Sequence, residues 1–208
     1  MDPMAHVRPY RGIEAADRVA ERRRRFLEAG LDILGSDPDL SELTVRGICR
    51  EAGLALRYFY ESFTDKDDLV AAVFDWVIAD IAATTQAAVA AAPVKEQTRA
   101  GIANIVRSVA ADTRVGHLLF SPQLANSVVL RKRAESFALM AMLTFQHAAT
   151  LGAKDTDLVK AASHFVVGGV MQMIAAWLAG DVRMDTDQLV DQLAAMIDAL
   201  AVPELYRG

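Results

Sequence analysis

From Phe26 to Leu200 the apolar residues recur at intervals of three and four, and no segment sustains the apolar-polar alternation of a half-buried strand. That period confines the chain to helices, and glycine and proline divide them. The first twenty residues lack it and contain Pro3, Pro9 and Gly12, so residues 1–20 are expected to form a flexible arm that turns helical near Ala15. Phe26, Leu27, Ala29, Gly30, Ile33 and Leu34 then trace one face of a first helix, stopped by Gly35 and Pro38. Thr44 opens a short second helix with Val45, Ile48 and Cys49 inward, ended by Gly53. A very short third helix follows at about 55–61. Thr64 is suited to cap a long fourth helix, with Leu69, Val70, Val73, Phe74, Val77, Ile78 and Ile81 inward and an end before Pro93. Further helices are expected at 95–111, from Ser121-Pro122 through 136–150, at 155–178 closed by Gly180, and at 185–200 closed near Pro203. The predicted fold is all-α: a three-helix head over 21–66 joined to a larger helical bundle over 67–208.

Of the 208 residues 53% are apolar, but no stretch approaches the roughly 18 uninterrupted apolar residues of a membrane span. The opening residues mix Arg8, Arg11 and Arg18 with Asp2, Glu14 and Asp17, unlike a secretory leader. A cytoplasmic chain without a membrane partner is expected. The single cysteine, Cys49, excludes an internal disulfide and has no Cys or His at metal-site spacing, so no metal or cofactor is expected. Glycine-rich phosphate loops, serine elbows and paired histidines are also missing from the sequence, which argues against an enzyme. The net charge is −5, and residues 22–66 carry eight basic and eight acidic side chains. Charge alone therefore does not point to nucleic acid; any such function must rest on geometry.

That geometry lies in residues 43–66. Two short helices flank a tight turn in which Ala52 lets them cross closely, Gly53 carries the backbone round and Leu54 plugs the corner. This is the mechanical requirement of a helix-turn-helix. The second of the two helices is too short to stand alone. Its anchors Phe59 and Phe63 face inward, which leaves Leu56, Arg57, Tyr58 and Tyr60 outward; exposed aromatics beside an arginine call for a binding explanation.

The run resembles the tetracycline-repressor (TetR) family, whose helix-turn-helix ends in Tyr, two residues, Phe, and shortly afterwards a Lys at the next helix start. Here these are Tyr60, Phe63 and Lys66. The resemblance covers about residues 22–73, with an arginine-led first helix, Thr44 opening the second and Ala52-Gly53-Leu54 at the turn. Three positions depart from the pattern. Ala55 replaces a frequent Ser or Thr cap worth about 0.5 to 2 kcal/mol, Arg57 a frequent Gly, and Ser62 a frequent His, so the operator is not inherited from better-matched relatives.

On this resemblance the chain is a transcriptional regulator, a repressor released from a palindromic DNA operator by a small apolar organic effector. Leu56, Arg57 and Tyr58 would read base edges, with Arg57 suited to guanine O6 and N7, while Thr44, Arg46, Tyr60 and Lys66 would hold phosphates. Arg57 pairing with Glu61 is the plainer alternative. The four arginines at 22–25 read as a solvated helix face of which one or two touch phosphate, and Arg8 and Arg11 as minor-groove contacts. One short reading helix sees too few base pairs, so a homodimer is expected. The family pairs its last two helices, which here offer Val166, Gly168, Gly169, Met171, Gln172, Ala175, Ala176, Leu193, Ala194 and Ile197. Phe74, Phe120, Phe137, Met140, Met142, Phe145, Met171, Met173 and Trp177 would line an effector cavity, with His117, His147 and His164 as polar contacts. The effector would act by shifting the fourth helix. The competing assignment keeps the ligand-binding bundle but makes the head a protein-interaction module, whose binding would be insensitive to salt.

Overall fold

The computed structural model describes residues 10–36, 40, 43–150 and 156–200, with side chains from Ala16 onward and not at Thr150. All the regular structure among them is helical: α1 (Tyr10–Ser36), α2 (Val45–Ala52), α3 (Leu56–Tyr60), α4 (Lys66–Ala91), α5 (Gln97–Ala111), α6 (Thr113–Phe120), α7 (Ser127–Thr150), α8 (Asp157–Leu178) and α9 (Thr186–Leu200), with a 3₁₀ turn at Val94–Glu96. Helix α1 starts at Tyr10, earlier than the apolar period indicates, so residues 10–20 extend the first helix. Arg8, the side chain of Arg11, Pro38 and Pro203 lie outside the described residues.

Side-chain caps explain most boundaries. Thr44 Oγ1 accepts from the Gly47 amide at 3.0 Å, as expected. The α4 start belongs to Asp65 rather than Thr64: the Asp65 carboxylate accepts from the Asp68 amide at 2.8 Å, while Asp68 reaches back to the Thr64 amide at 2.9 Å. A carboxylate accepts these amides and also complements the helix dipole, so it outcompetes the neighbouring hydroxyl. Asp185 and Gln188 cap α9 reciprocally, each taking the other's amide at 2.8 and 3.0 Å.

Two expectations fail between residues 112 and 127. Asp112 caps an eight-residue helix, α6, that the sequence does not announce because Gly116 interrupts its propensity. Ser121 and Pro122 then form a turn and not a helix start; α7 begins at Ser127, where Asn126 Oδ1 accepts from the Val128 amide at 2.9 Å. Arg133 of α7 closes the far end of α6. Its half-buried guanidinium donates to the carbonyls of Leu118 at 2.7 Å and Ser121 at 2.9 Å, and burial pulls its pKa down.

Two apolar clusters hold the helices together. The first runs from Phe26, Leu34, Ile48, Phe59 and Phe63 of the head through Leu69, Val73 and Phe74 of α4 to Leu118, Leu124 and Val129, so the packing continues from α1–α4 into the start of the bundle. The second gathers Ile102, Val106 and Val109 of α5 with Ile174 of α8 and Leu189, Val190 and Leu193 of α9. Head and bundle also meet directly where α1 crosses α6. Arg114 pairs with Asp112 and Asp32, and the two carboxylates push its pKa further up. Gly35 lies so close that a Cβ there would stand 2.4 Å from Arg114 Cβ.

Candidate nucleic-acid interface

Helix α2 ends where Gly53 enters the left-handed region, φ 61° and ψ 35°, a conformation glycine adopts without penalty. The Leu54 amide then donates to Cys49 O at 3.0 Å, which closes the helix end. Cys49 is buried, and desolvation raises its thiol pKa. One residue past the turn α3 begins without a side-chain cap, because Ala55 has no acceptor to offer. Five residues with no cap cannot hold a helix by themselves, so the restraint must come from outside.

It comes from α1. Phe59 and Phe63, 0% and 3% exposed, pack edge-on against Phe26 with ring centroids 5.6 and 6.2 Å away. Above them lies the arginine run. Arg25 donates to Ala52 O at 2.6 Å, Arg23 to Ser62 O at 2.9 Å and Arg22 to Glu61 Oε2 at 3.2 Å. The Arg22 guanidinium also stacks over Tyr58 at 4.5 Å and that of Arg23 over Phe63 at 4.5 Å. Residues 22, 23 and 25 are therefore clamps on the helix-turn-helix, Arg23 and Arg25 while still exposed to solvent and Arg22 half-buried. Arg24 makes no such contact and pairs with Glu21 and Glu28 on the surface.

The residues expected to face DNA do point outward. Leu56 is 45% and Tyr60 59% exposed, Thr44, Arg46, Arg57 and Lys66 are exposed, and Tyr58 is half-buried under Arg22. Arg57 does not take Glu61, which Arg22 holds. It donates instead to the Tyr58 hydroxyl at 2.7 Å, with its guanidinium 4.6 Å from the same ring. Lys66 pairs with Asp67 at 3.0 Å, and Asp65, Asp67 and Asp68 crowd the first turn of α4. This end of the surface is locally acidic, which weakens any pull of Lys66 on a phosphate.

The expected effector lining does not assemble. Phe74 is 1% exposed in the first core, whereas Phe137 and Met142 lie on the surface. Phe145 is half-buried with the Lys160 ammonium 5.5 Å from its ring, and Trp177 donates Nε1 to Met184 O at 2.8 Å within the second core. Phe120 packs between the two cores, Met173 against the second, and Met140 and Met171 are half-buried. All are apolar residues at helical spacing, so the sequence pattern does not separate cavity wall from core or outer face. Among the described residues, cavities lie elsewhere. An open groove of about 470 Å³ lies between α1 and α4, bounded by Arg23, Leu27, Asp68, Asp75 and Trp76. A smaller one of about 280 Å³ lies at the junction of α1, α4, α5 and α6, bounded by Leu31, Trp76, Ile81, Asp112 and Arg114. Trp76 borders both and the sequence reading missed it; it reads as one more apolar residue of α4. Of the histidines, His164 is exposed, and His117 buries an Nε2 that finds no hydrogen-bond partner among the described residues.

The dimer candidates divide in two. Leu193 and Ala194 are buried, Leu193 in the second core, and Ile197 packs against that core; these are internal positions. Val166, Met171, Ala175 and Ala176 are half-buried, while Gly168, Gly169 and Gln172 are exposed, with nothing within 4 Å of a Cβ at either glycine. Gly168, Gly169, Gln172 and Ala176 form one stripe along α8 with Leu158 and Phe165, 47% and 68% exposed, and Val166 and Met171 lie on its two flanks. In length and composition α8 is apolar enough to cross a membrane, with a mean hydropathy of 1.4, yet only 17% of that stretch is buried. Its apolar run is not uninterrupted, because Lys160, His164 and Gln172 break it, so the sequence shows no continuous apolar stretch of span length there.

No family model matches the chain, nor does any curated protein at a significant level. Solved structures do. A TetR-family transcriptional regulator of Streptomyces coelicolor is 20% identical, with a TM-score of 0.65 over 98% of both chains. A TetR-like transcriptional regulator of Rhodococcus sp. RHA1 is 18% identical, with a TM-score of 0.62 over 91% of this chain and 98% of that one. The transcriptional regulator FadR of Bacillus subtilis, solved with stearoyl-CoA, is 17% identical, with a TM-score of 0.64 over 84% and 96%. At these identities the likeness establishes the fold: an N-terminal helix-turn-helix head on a helical bundle.

Proposed function

We propose that this chain belongs to the TetR family and acts as a cytoplasmic, homodimeric transcriptional regulator, a repressor that leaves a palindromic operator when a small organic effector binds. The observation that carries this reading is the braced reading helix: five residues without a cap, fixed by arginines and phenylalanines of its own fold, with Leu56, Arg57 and Tyr60 outward. A fold that commits three arginines to holding one short helix and the turn before it needs that helix in a fixed place. In a major groove Arg57 suits guanine O6 and N7, while Thr44, Arg46 and Tyr60 meet phosphates around it. The exposed stripe on α8 is the surface a second copy would cover, which sets two heads on two half-sites.

Effector control follows from the α1–α6 contact. A ligand that displaces α6 moves Arg114, and with it the α1 residues Asp32 and Gly35 that lie against it. Operator affinity then falls by the ligand's preference for the displaced state. The neighbouring FadR fold was solved with an acyl-CoA, which makes apolar and acyl effectors the first class to screen.

The test is selection of the purified protein against random duplexes at two salt concentrations. Enrichment of one palindrome, lost in Arg57→Ala and Tyr60→Ala, supports the regulator. Weak retention with no motif and no response to these substitutions refutes it, and salt-insensitive capture of a protein then makes the head an interaction module.

A further inference from the structure

We infer that Arg22, which lies on α1 and outside the reading helix, is a specificity-determining residue: it positions the Arg57 fork through the ring of Tyr58. The inference rests on the DNA-reading role of α3. Its basis is a continuous chain of three side chains. The Arg22 guanidinium stands 4.5 Å from the Tyr58 ring centroid and is itself oriented by Glu61 at 3.2 Å. The Tyr58 hydroxyl accepts from Arg57 Nη2 at 2.7 Å, and the Arg57 guanidinium lies 4.6 Å from the same ring. Tyr58 is half-buried while Arg57 is exposed, so the tyrosine is the fixed member and the arginine the one being held.

The physical need is plain. A long exposed arginine samples many rotamers, and a bidentate contact to one base requires a single orientation of its planar fork. Arg57 stands where α3 has no cap, and Glu61, one turn further along the same helix, is already engaged by Arg22. The phenol hydroxyl is thus the group that steadies the fork before DNA arrives. The ring in turn is steadied by a cation that stacks on it from α1. Ordering one such side chain in advance is worth about a two- to tenfold change in the preference it expresses. Arg22 thereby contributes to base choice without touching a base.

The experiment is the same duplex selection, followed by affinity measurements on the selected operator and its single-base variants over a salt series. Arg22→Ala is expected to relax preference at the one base pair read by Arg57 by about two- to tenfold, to leave the other positions alone, and to leave the salt slope unchanged. Arg22→Lys keeps the charge but loses the planar stack, so it behaves like the alanine variant. Tyr58→Phe keeps the ring and removes the hydroxyl; it relaxes the same base pair and covers the case in which Arg22→Ala fails to fold. In an Arg57→Ala background Arg22→Ala adds nothing further.

A uniform loss at every position with a salt slope lower by about 0.9, rescued by Arg22→Lys, would make Arg22 an ordinary phosphate contact and overturn the inference. So would an unchanged motif in Arg22→Ala and Tyr58→Phe. If the wild-type protein selects no motif, the regulator reading itself fails and the inference falls with it; a wild-type motif that the variants leave intact sinks the inference alone.

Discussion

Gly35→Ala adds one methyl group where α1 meets α6. A Cβ there falls 2.4 Å from Arg114 Cβ, 2.6 Å from its Cα and 2.9 Å from its carbonyl oxygen. None of these atoms rotates out of the way as the tip of a side chain would. To reach an ordinary carbon contact the helices must separate by about 1 Å, which also pulls Asp32 from Arg114. Overpacking of this kind costs about 1 to 3 kcal/mol. Against it stands the helix preference of alanine over glycine, at most about 1 kcal/mol and less at the next-to-last residue of α1. The net expectation is a loss of about 1 to 2 kcal/mol, a fall of roughly 3 to 6 °C in Tm for a chain of this size. Urea unfolding followed by circular dichroism reads it as a lower midpoint at unchanged slope, with protomer concentration held fixed because a dimer's stability depends on it. Gly168→Ala is the control: nothing lies within 4 Å of its Cβ, so the fold of the protomer keeps its stability or gains up to about 1 kcal/mol. A Gly35→Ala protein as stable as wild type would refute the claim that α1 and α6 are in backbone contact.

Three further outcomes are expected. Phe165→Asp, on the exposed stripe of α8, yields a monomer by analytical ultracentrifugation with its helical circular dichroism intact; a persistent dimer would place the interface elsewhere. Thr44→Ala removes the cap of α2 and costs about 1 kcal/mol in urea unfolding, with operator affinity reduced as well if the hydroxyl also meets phosphate. Asp112 is held below its ordinary pKa of 3.8 by the hydrogen bond from Arg114, so its contribution is full above that value and is lost as pH falls through the lower folded one. The gap in thermal midpoint between wild type and Asp112→Asn is therefore widest near neutrality and closes below about pH 4; a gap that widens in acid would contradict the assigned pairing.

The helix-turn-helix is legible in the sequence because its constraints are local. Thr44 caps a residue three positions on, Gly53 must accept a positive φ, and Phe59 and Phe63 stand four residues apart, one on a helix too short to have a second buried face and one just past its end. The arginine run is misread for the opposite reason. Arg22 and Arg23 find their partners 39 residues away, and a run of four arginines has the same appearance whether it faces water, phosphate or the chain's own carbonyls. Helix α6 is hidden by Gly116, which lowers propensity yet is wanted where Val109 and Leu178 press close. An effector lining is less legible still. In a bundle every inward residue of every helix has the same spacing, and a cavity is a property of how helices stand apart, which no single helix encodes. On α8, apolar nearly all round, the period does not say which side faces outward; the burial of Ile174 and the exposure of Phe165 do.

On the proposed effector control, α1 is the member through which the bundle would act on the head. Its arginines at 22, 23 and 25 grip α3 and the turn before it, while Asp32 and Gly35, about ten residues or roughly 15 Å further along, lie on α6. The proposed lever has α1 tilt as a unit when a ligand displaces α6. The aromatic contacts of Phe26 with Phe59 and Phe63 then carry the reading helix with it, so the geometry within the head survives the tilt. Release from DNA on this mechanism is a change in how two intact heads are spaced, not a melting of either. Amide hydrogen exchange separates the two possibilities: protection of α2 and α3 that is equal with and without effector, alongside a fallen operator affinity, is the expected result. Effector-dependent loss of protection in α3 would mean that the clamp opens, and the rigid lever would have to be abandoned.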